Sequence, residues 1–329
     1  MSMPLVSIVV PAFNCAQTIG KNLQAILNQT YKGSIECIVV DDGSTDGTAR
    51  VIQAFPQVRY VYQENAGPAS ARNKGAQVAQ GEIIFFTDSD CVPHKDWVEK
   101  MIVRFTEAKV AVVSGSYGII NSKSELAQCI HKEIMFRHHR LMPEYPKSFG
   151  SYNFCIRKKV FHEIGGFNAS YPYASGEDND LSYKVLKTGC KIYFERSALV
   201  DHHHTERLGR YLFEQFRHGY WRVKMYQDHP QMMRGDDYTF FKDIVEVPLA
   251  CVSLLVPITI FLPLPFLKLL TFFSVFLFIA LEIFYGFFIM KDFRQGIVFS
   301  GVMLLRAYSR SLGFLVGLLH FPFPQNKKV

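Results

Sequence analysis

IECIVVDDGSTDG, residues Ile35 to Gly47, decides the fold: an apolar, β-rich run stops on two adjacent carboxylates, and Ser44, Thr45 and Asp46 then supply helix-capping side chains. The pattern repeats on both sides. LVSIVV precedes it from Leu5, and VRYVY, EIIFF and VAVVSG follow, the last ending near Gly118. Between these runs Ile19, Leu23, Ile26 and Leu27 share one helical face, and the Ala-rich ASARNKGAQVAQ opens on Gly67-Pro68. Strand and helix in alternation predict an α/β fold with a mostly parallel sheet. Ligands of such sheets bind beyond the carboxyl ends of the strands, so the loops there are the candidate site.

The chain has 329 residues, 49% of them hydrophobic, and a formal charge of +7. Ile244 to Val329 holds seven Lys or Arg against three Asp or Glu, so over half of the excess lies beside the most apolar segments. That distribution fits attraction to anionic lipid headgroups and speaks against nucleic acid as a partner. Seven cysteines without a CxxC pair read as reduced thiols. The N-terminal run lacks a basic start and is cut by Pro11, so it reads as a first strand and not as a signal peptide. The expectation is a cytoplasmic body held at the cell membrane.

Val247 to Leu264 and Leu267 to Met290 are long apolar stretches separated by the turn-forming PLP at Pro263 to Pro265, and are expected to form a membrane hairpin. Gly296 to His320 carries Arg306 and Arg310 on one helical face, which favours a helix lying in the interface. An even number of crossings leaves KDFR and the terminal NKKV on the cytoplasmic side.

Four motifs at strand ends bear the chemistry. In VVPAFN, Pro11 ends a strand, and Pro11, Ala12 and Asn14 are candidates to cradle a nucleoside. In VVDDGSTDG, Asp41 and Asp42 are candidate hydrogen-bond acceptors for a base and a ribose; helix capping accounts for the later polar residues but not for two acids in a row. ENAGPASARNKG places Arg72 in the second turn of a helix, as a contact to base or phosphate or as a solvated surface arginine. In FFTDSDC, Asp88 and Asp90 flank Ser89 and point to the same side of an extended segment, offering oxygens to a hard cation that bridges a diphosphate.

GEDNDL begins a helix with Glu177, Asp178 and Asp180. An acidic first turn suits the helix dipole and explains Asp180. A transfer with inversion also needs a carboxylate to accept the acceptor's proton, and Asp178 is the first candidate, with Glu177 beside it. Further on, His202, His203 and His204 follow the last strand-like run. Adjacent residues alternate sides there, so at most one or two, with His202 and His204 the candidates, can join a metal site.

Taken in order, Pro11 to Asn14, Asp41 to Asp46, Asn65 to Gly75, Asp88 to Asp90 and Glu177 to Leu181 resemble the motifs of family-two inverting glycosyltransferases of the GT-A fold. The resemblance spans about Leu5 to Tyr220. It implies that Asp42 and Arg72 hold the base, Asp88 the ribose side, Asp90 a Mn2+ or Mg2+ ion, and that Asp178 is the catalytic base, with Ser89 a further candidate for nucleotide-sugar contact. The donor it implies is a nucleotide-diphosphate sugar, a UDP-sugar first, and the acceptor a lipid-linked species or a glycan. Gly219 to Trp221 only loosely matches the signature of processive synthases, which favours single additions. The expected division is a catalytic domain over 1–243, with a donor half at 1–120 and an acceptor half at 121–243, then a membrane region over 244–329. No GxGxxG follows the first strand and no GxxxxGK[ST] occurs, which excludes a nicotinamide or P-loop enzyme. The rival from another class is a catalytically silent membrane scaffold of the same fold.

Overall fold

Alternate residues of the apolar runs feed two separate cores, because side chains of a strand point to opposite faces. In β1 (Val6–Ala12), Ile8 and Val10 join one core with Val39 of β2 (Ile35–Asp42); Val9 joins the other with Ile38 and Val40. Covered on both faces, these strands need continuous apolar runs. The computed structural model describes residues 3–173, 175–234, 237 and 241–321. The terminal NKKV stretch lies outside the described residues.

The other strands are β3 (Val58–Gln63), β4 (Ile83–Thr87), β5 (Cys91–Pro93), β6 (Val110–Ile119), β7 (Asn153–Arg157) and β8 (Lys191–His202). One sheet of order β3-β2-β1-β4-β7-β6-β8-β5 contains them all. The expected parallel arrangement holds across β3, β2, β1 and β4 and again between β6 and β8. β7 slots antiparallel between β4 and β6, and β5 pairs antiparallel with the end of β8. Neither was legible as a strand: NFCIR and CVP are short and lack a period of their own.

Helices α1 (Ile19–Leu27), α2 (Thr48–Gln53), α3 (Pro68–Val78), α4 (Trp97–Ile102), α5 (Glu125–Arg140), α6 (Lys158–Glu163) and α7 (Glu177–Lys187) accompany the sheet in sequence. The tail adds α8 (Leu208–Asp228), α9 (Phe241–Ser253), α10 (Val256–Thr259), α11 (Pro265–Ile289) and α12 (Phe293–His320). Gly75 lets α3 sit close on the sheet, since a Cβ there would stand 2.3 Å from Val9 Cγ1. Trp97 is fully buried in the first core and donates its indole N–H to Asn153 Oδ1 at 2.7 Å.

The chain divides into two compact units, Met1–Ile120 with His138–His203, and Asn121–Arg137 with His204–Val329. The first holds the sheet. In the second, α8 packs along α12. Val247–Leu264, expected as one span, is divided between α9 and α10, with Pro248 inside the first and Pro257 opening the second. The expected stretches 267–290 and 296–320 are the bodies of α11 and α12. By length and composition alone, these two helices could cross a membrane.

The core of the second unit is partly ionic. Arg306 of α12 reaches Glu133 of α5 at 2.7 Å and Glu246 of α9 at 3.3 Å. Arg137 bonds Glu133 and, at 2.7 Å, Asp243, while Lys242 bonds Glu246 and, at 2.7 Å, Glu282 of α11. Glu282 and Arg306 are each 1% exposed, so the Glu282 that is costly in lipid faces protein instead.

Candidate active site

The ends of β1 and β2 are knitted before any ligand arrives. Ala12 stands opposite Asp41 in the parallel register, which brings the PAFN and DDGSTD loops side by side. Asn14 adopts φ 47°, a left-handed conformation that Asn tolerates, and its Oδ1 accepts from Thr45 N at 2.8 Å while its own N–H donates to Ser44 Oγ at 3.0 Å. Pro11 is half-buried and Asn14 exposed.

Asp41 and Asp42 are buried at the end of β2, and protein groups already engage them. Asp41 accepts from Ser44 N at 2.9 Å and from the Tyr60 hydroxyl at 2.8 Å. Asp42 accepts from Gln63 Nε2, Ala66 N and Gly67 N at 2.6, 2.8 and 2.9 Å. Asp42 thus organises the loop that begins α3 and Asp41 the turn that follows β2; further lone pairs stay available on each carboxylate. Gly67 has φ 89°, and a Cβ on it would stand 2.7 Å from Pro172 O, so this turn requires glycine.

Arg72 is no surface arginine. It is 2% exposed, and its fork bonds two acids at once: Nη2 to Asp88 Oδ1 at 2.7 Å and Nη1 to Glu177 Oε1 at 3.1 Å. Burial alone would lower its pKa, but Asp88 and Glu177 more than offset that, and the guanidinium stays charged. Glu177 is 1% exposed and also accepts from Ser175 N at 2.8 Å, which makes it an anchor for the start of α7. Asp178, the next residue, is half-buried, with Oδ1 accepting from Asn179 N at 2.8 Å.

The FFTDSDC turn is held by Asn22, a residue that sequence reasoning passed over. Its Nδ2 donates to Asp88 O at 3.1 Å and to Cys91 O at 2.7 Å, and the only sequence signal was an amide on the apolar face of α1. Ser89 is half-buried and lies against the Cys15 thiol. Cys91 pairs with His202 across β5 and β8, and that register places Asp90 Oδ2 3.4 Å from His202 Nε2. Desolvation raises the Asp90 carboxyl, yet His202 more than offsets it and holds it below the usual carboxylate range.

Among the described residues one cluster has metal-ligand character: Asp90, Cys91 and His202, with ligand atoms all within 4.8 Å of one another. Cys91 is fully buried, and a soft sulfur ligand suits Mn2+ or Mg2+ poorly. Carboxylate and imidazole remain, a set that fits Mn2+ or Mg2+ with positions left for a diphosphate. Asp88 faces Arg72 and is outside the cluster. His203 is exposed. His204 belongs to the second unit, where its ring lies 5.7 Å from that of His131, and it is not in the cluster either. Beside His202, Tyr117 stacks on Tyr152 with ring centroids 3.6 Å apart and lies 5.3 Å from the imidazole, an aromatic wall carried by two isolated tyrosines that no motif marked.

Residues 7–169 match the family model described as Glycosyl transferase family 2. The chain is 32% identical over 205 residues to the uncharacterized glycosyltransferase RC0461 of Rickettsia conorii, a match covering 60% of this chain and 33% of that protein. It is 27% identical over 233 residues to glycosyltransferase AglE of Haloferax volcanii, covering 68% and 75%. In structure it is similar to the mannosyltransferase PcManGT of Pyrobaculum calidifontis, solved with GDP-Man and Mn2+, with a TM-score of 0.56, 17% identity, and coverage of 97% of this chain and 87% of that one. Residues 7–169 of this chain are thus a glycosyl transferase family 2 domain, built on a GT-A-like α/β sheet.

Proposed function

We propose that the chain transfers a single sugar from a nucleotide-diphosphate sugar to a lipid-linked or glycan acceptor at a membrane, by a metal-dependent inverting displacement. One observation carries this reading: Arg72 ties Asp88 of the candidate metal motif to Glu177, the neighbour of Asp178, so donor site and candidate base belong to one rigid assembly.

In this reading the PAFN and DDGSTD loops receive the nucleoside, with Asp41 and Asp42 supplying acceptors from a preformed frame. Asp90 and His202 would hold Mn2+ or Mg2+, which supplies charge neutralisation to the departing diphosphate. Asp178 takes the proton of the acceptor hydroxyl as its oxygen attacks the anomeric carbon from the face opposite the leaving group, and the configuration inverts. Glu177 is a positioning residue that fixes the first turn of α7. The chemistry is assigned to 1–243 and membrane attachment to 244–329, with the first unit on the cytoplasmic side. Exposed apolar faces on α11 and free thiols at all seven cysteines support that placement.

The test is turnover of the full chain, in detergent or vesicles, with a panel of nucleotide sugars that starts with UDP-sugars and includes GDP-mannose. Metal-dependent release of the nucleoside diphosphate is expected from one of them. Binding of no donor, with or without Mn2+, would leave the scaffold reading.

A further inference from the structure

The helices of the second unit answer how the chain meets the membrane, an inference that rests on the membrane attachment proposed above. Length makes α11 and α12 candidate spans, but their neighbours decide whether lipid can surround them.

α12 shares the second half of its length with α8. Ser309 Oγ donates to Leu212 O at 2.6 Å, a Cβ on Gly313 would stand 1.9 Å from Phe216 O, and one on Gly317 would stand 2.6 Å from Tyr220 O. Both partners advance by four residues at each step, so the two helices run parallel and in direct contact. Gln227 Nε2 extends the seam to Phe321 O at 2.7 Å. α8 carries Arg210, Glu214, Arg217, Arg222, Lys224 and Asp228, and the Arg210 side chain is 74% exposed. If α12 crossed hydrocarbon, α8 would cross with it and carry these charges inside.

The first half of α12 is no freer. Arg294 pairs with Glu125 of α5 at 2.7 Å, and Phe299 and Met303 share an apolar core with Cys129 of α5. Arg306 stands between these halves within the ionic cluster. No run of about 20 residues of α12, the length a crossing requires, lacks a charged neighbour helix.

α11 lies antiparallel against α12: Gly286 meets Ser300 and Gly296, and Phe278 packs on Tyr308 at 5.1 Å. Its other face is bare. Phe266, Leu269, Phe276 and Phe284 are 65–77% exposed along the helix, while Thr271, Ser274 and Glu282 turn inward. The second unit also holds 17 Lys and Arg against 11 Asp and Glu, a net +6 of the chain's +7. A phenyl-rich ridge on a basic body matches the acyl chains and the anionic headgroups of one leaflet.

We infer that the tail is monotopic: α11 lies in the plane of one leaflet with its phenyl face among the acyl chains, while α8 and α12 stay on the aqueous side. Neither α11 nor α12 crosses.

Depth measurement tests this in the full chain. Trp221→Phe removes the one half-buried native tryptophan, and Leu269→Trp, Phe276→Trp or Phe284→Trp then reports depth through quenching by lipids brominated at different acyl positions. The vesicles are phosphatidylethanolamine with phosphatidylglycerol. The three positions are expected to quench at one shared depth, within a single leaflet. A spanning α11 would instead spread Leu269 and Phe284 over ~22 Å along the membrane normal, at 1.5 Å per residue, and that spread would overturn the monotopic reading alone. Absence of quenching at all three, with no sedimentation on vesicles, would overturn membrane attachment itself. Self-association that shields all three from quencher would assign the ridge to a second copy of this chain and overturn both.

Discussion

Asp90 and His202 come within 3.4 Å of each other because the three residues of β5 pair antiparallel with the end of β8. A carboxylate and an imidazole so placed are the described residues best suited to a divalent cation. With UDP and Mn2+ at a hundred times Kd, the wild type should gain about 2.7 kcal/mol of stability by mass action. Asp90→Ala and His202→Ala should lose most of that gain, and EDTA should abolish it in the wild type. Thermal shift with and without Mn2+ reads the outcome; an unchanged response in both variants places the cation elsewhere.

Arg72 offers a sharper structural expectation. Replacing it with Met leaves Glu177 buried and unpaired, which should cost about 3–5 kcal/mol. Arg72→Lys should restore little, because an ammonium cannot bond Asp88 and Glu177 in the same fork. Chemical denaturation of the three proteins is the measurement, and wild-type stability in Arg72→Met would contradict the bridge.

Asp178→Asn keeps the side chain's shape and removes its proton acceptance. Turnover should fall on the order of 10²–10⁴-fold while donor affinity holds. Steady-state kinetics beside nucleotide binding separates the two effects. A near-normal rate would remove Asp178 from the role of base.

The ionic core of the second unit predicts an acid limit. Burial would raise Glu133, but Arg137 and Arg306 outweigh it and hold the carboxyl down at about 2, below its ordinary 4.5. A depressed folded-state pKa contributes stability above the unfolded value and loses it as pH falls through the folded one. The contribution, on the order of 3 kcal/mol, should therefore persist at pH 7 and decline between about pH 4.5 and pH 2. Melting followed against pH should show that decline in the wild type and less of it in Glu133→Gln.

Truncation should not yield a clean soluble enzyme if cut at Asp243. That end point removes Glu246 and Arg306, two partners in the cluster that contains Glu133 and Arg137. The shortened chain is expected to aggregate, and size-exclusion chromatography reports it; a monodisperse product would show that the ionic cluster is dispensable.

Sequence by itself determined what depends on neighbours along the chain. The apolar runs from LVSIVV to VAVVSG became β1, β2, β3, β4 and β6, with Asp41 and Asp42 closing β2, Asp88 and Asp90 in the turn after β4 and Glu177 opening α7, because strand period and turn chemistry act over a few residues. Tertiary structure alone decided what depends on pairing at a distance. NFCIR has no period to announce it, yet it becomes β7 because β4 and β6 leave a position between them. Arg72 and Glu177 read as separate groups until folding removed both from water, where each charge requires the other. The tail shows the same limit: hydropathy described α11 and α12 well enough as apolar helices, but only folding set charge-bearing α8 and α5, remote in sequence, beside α12.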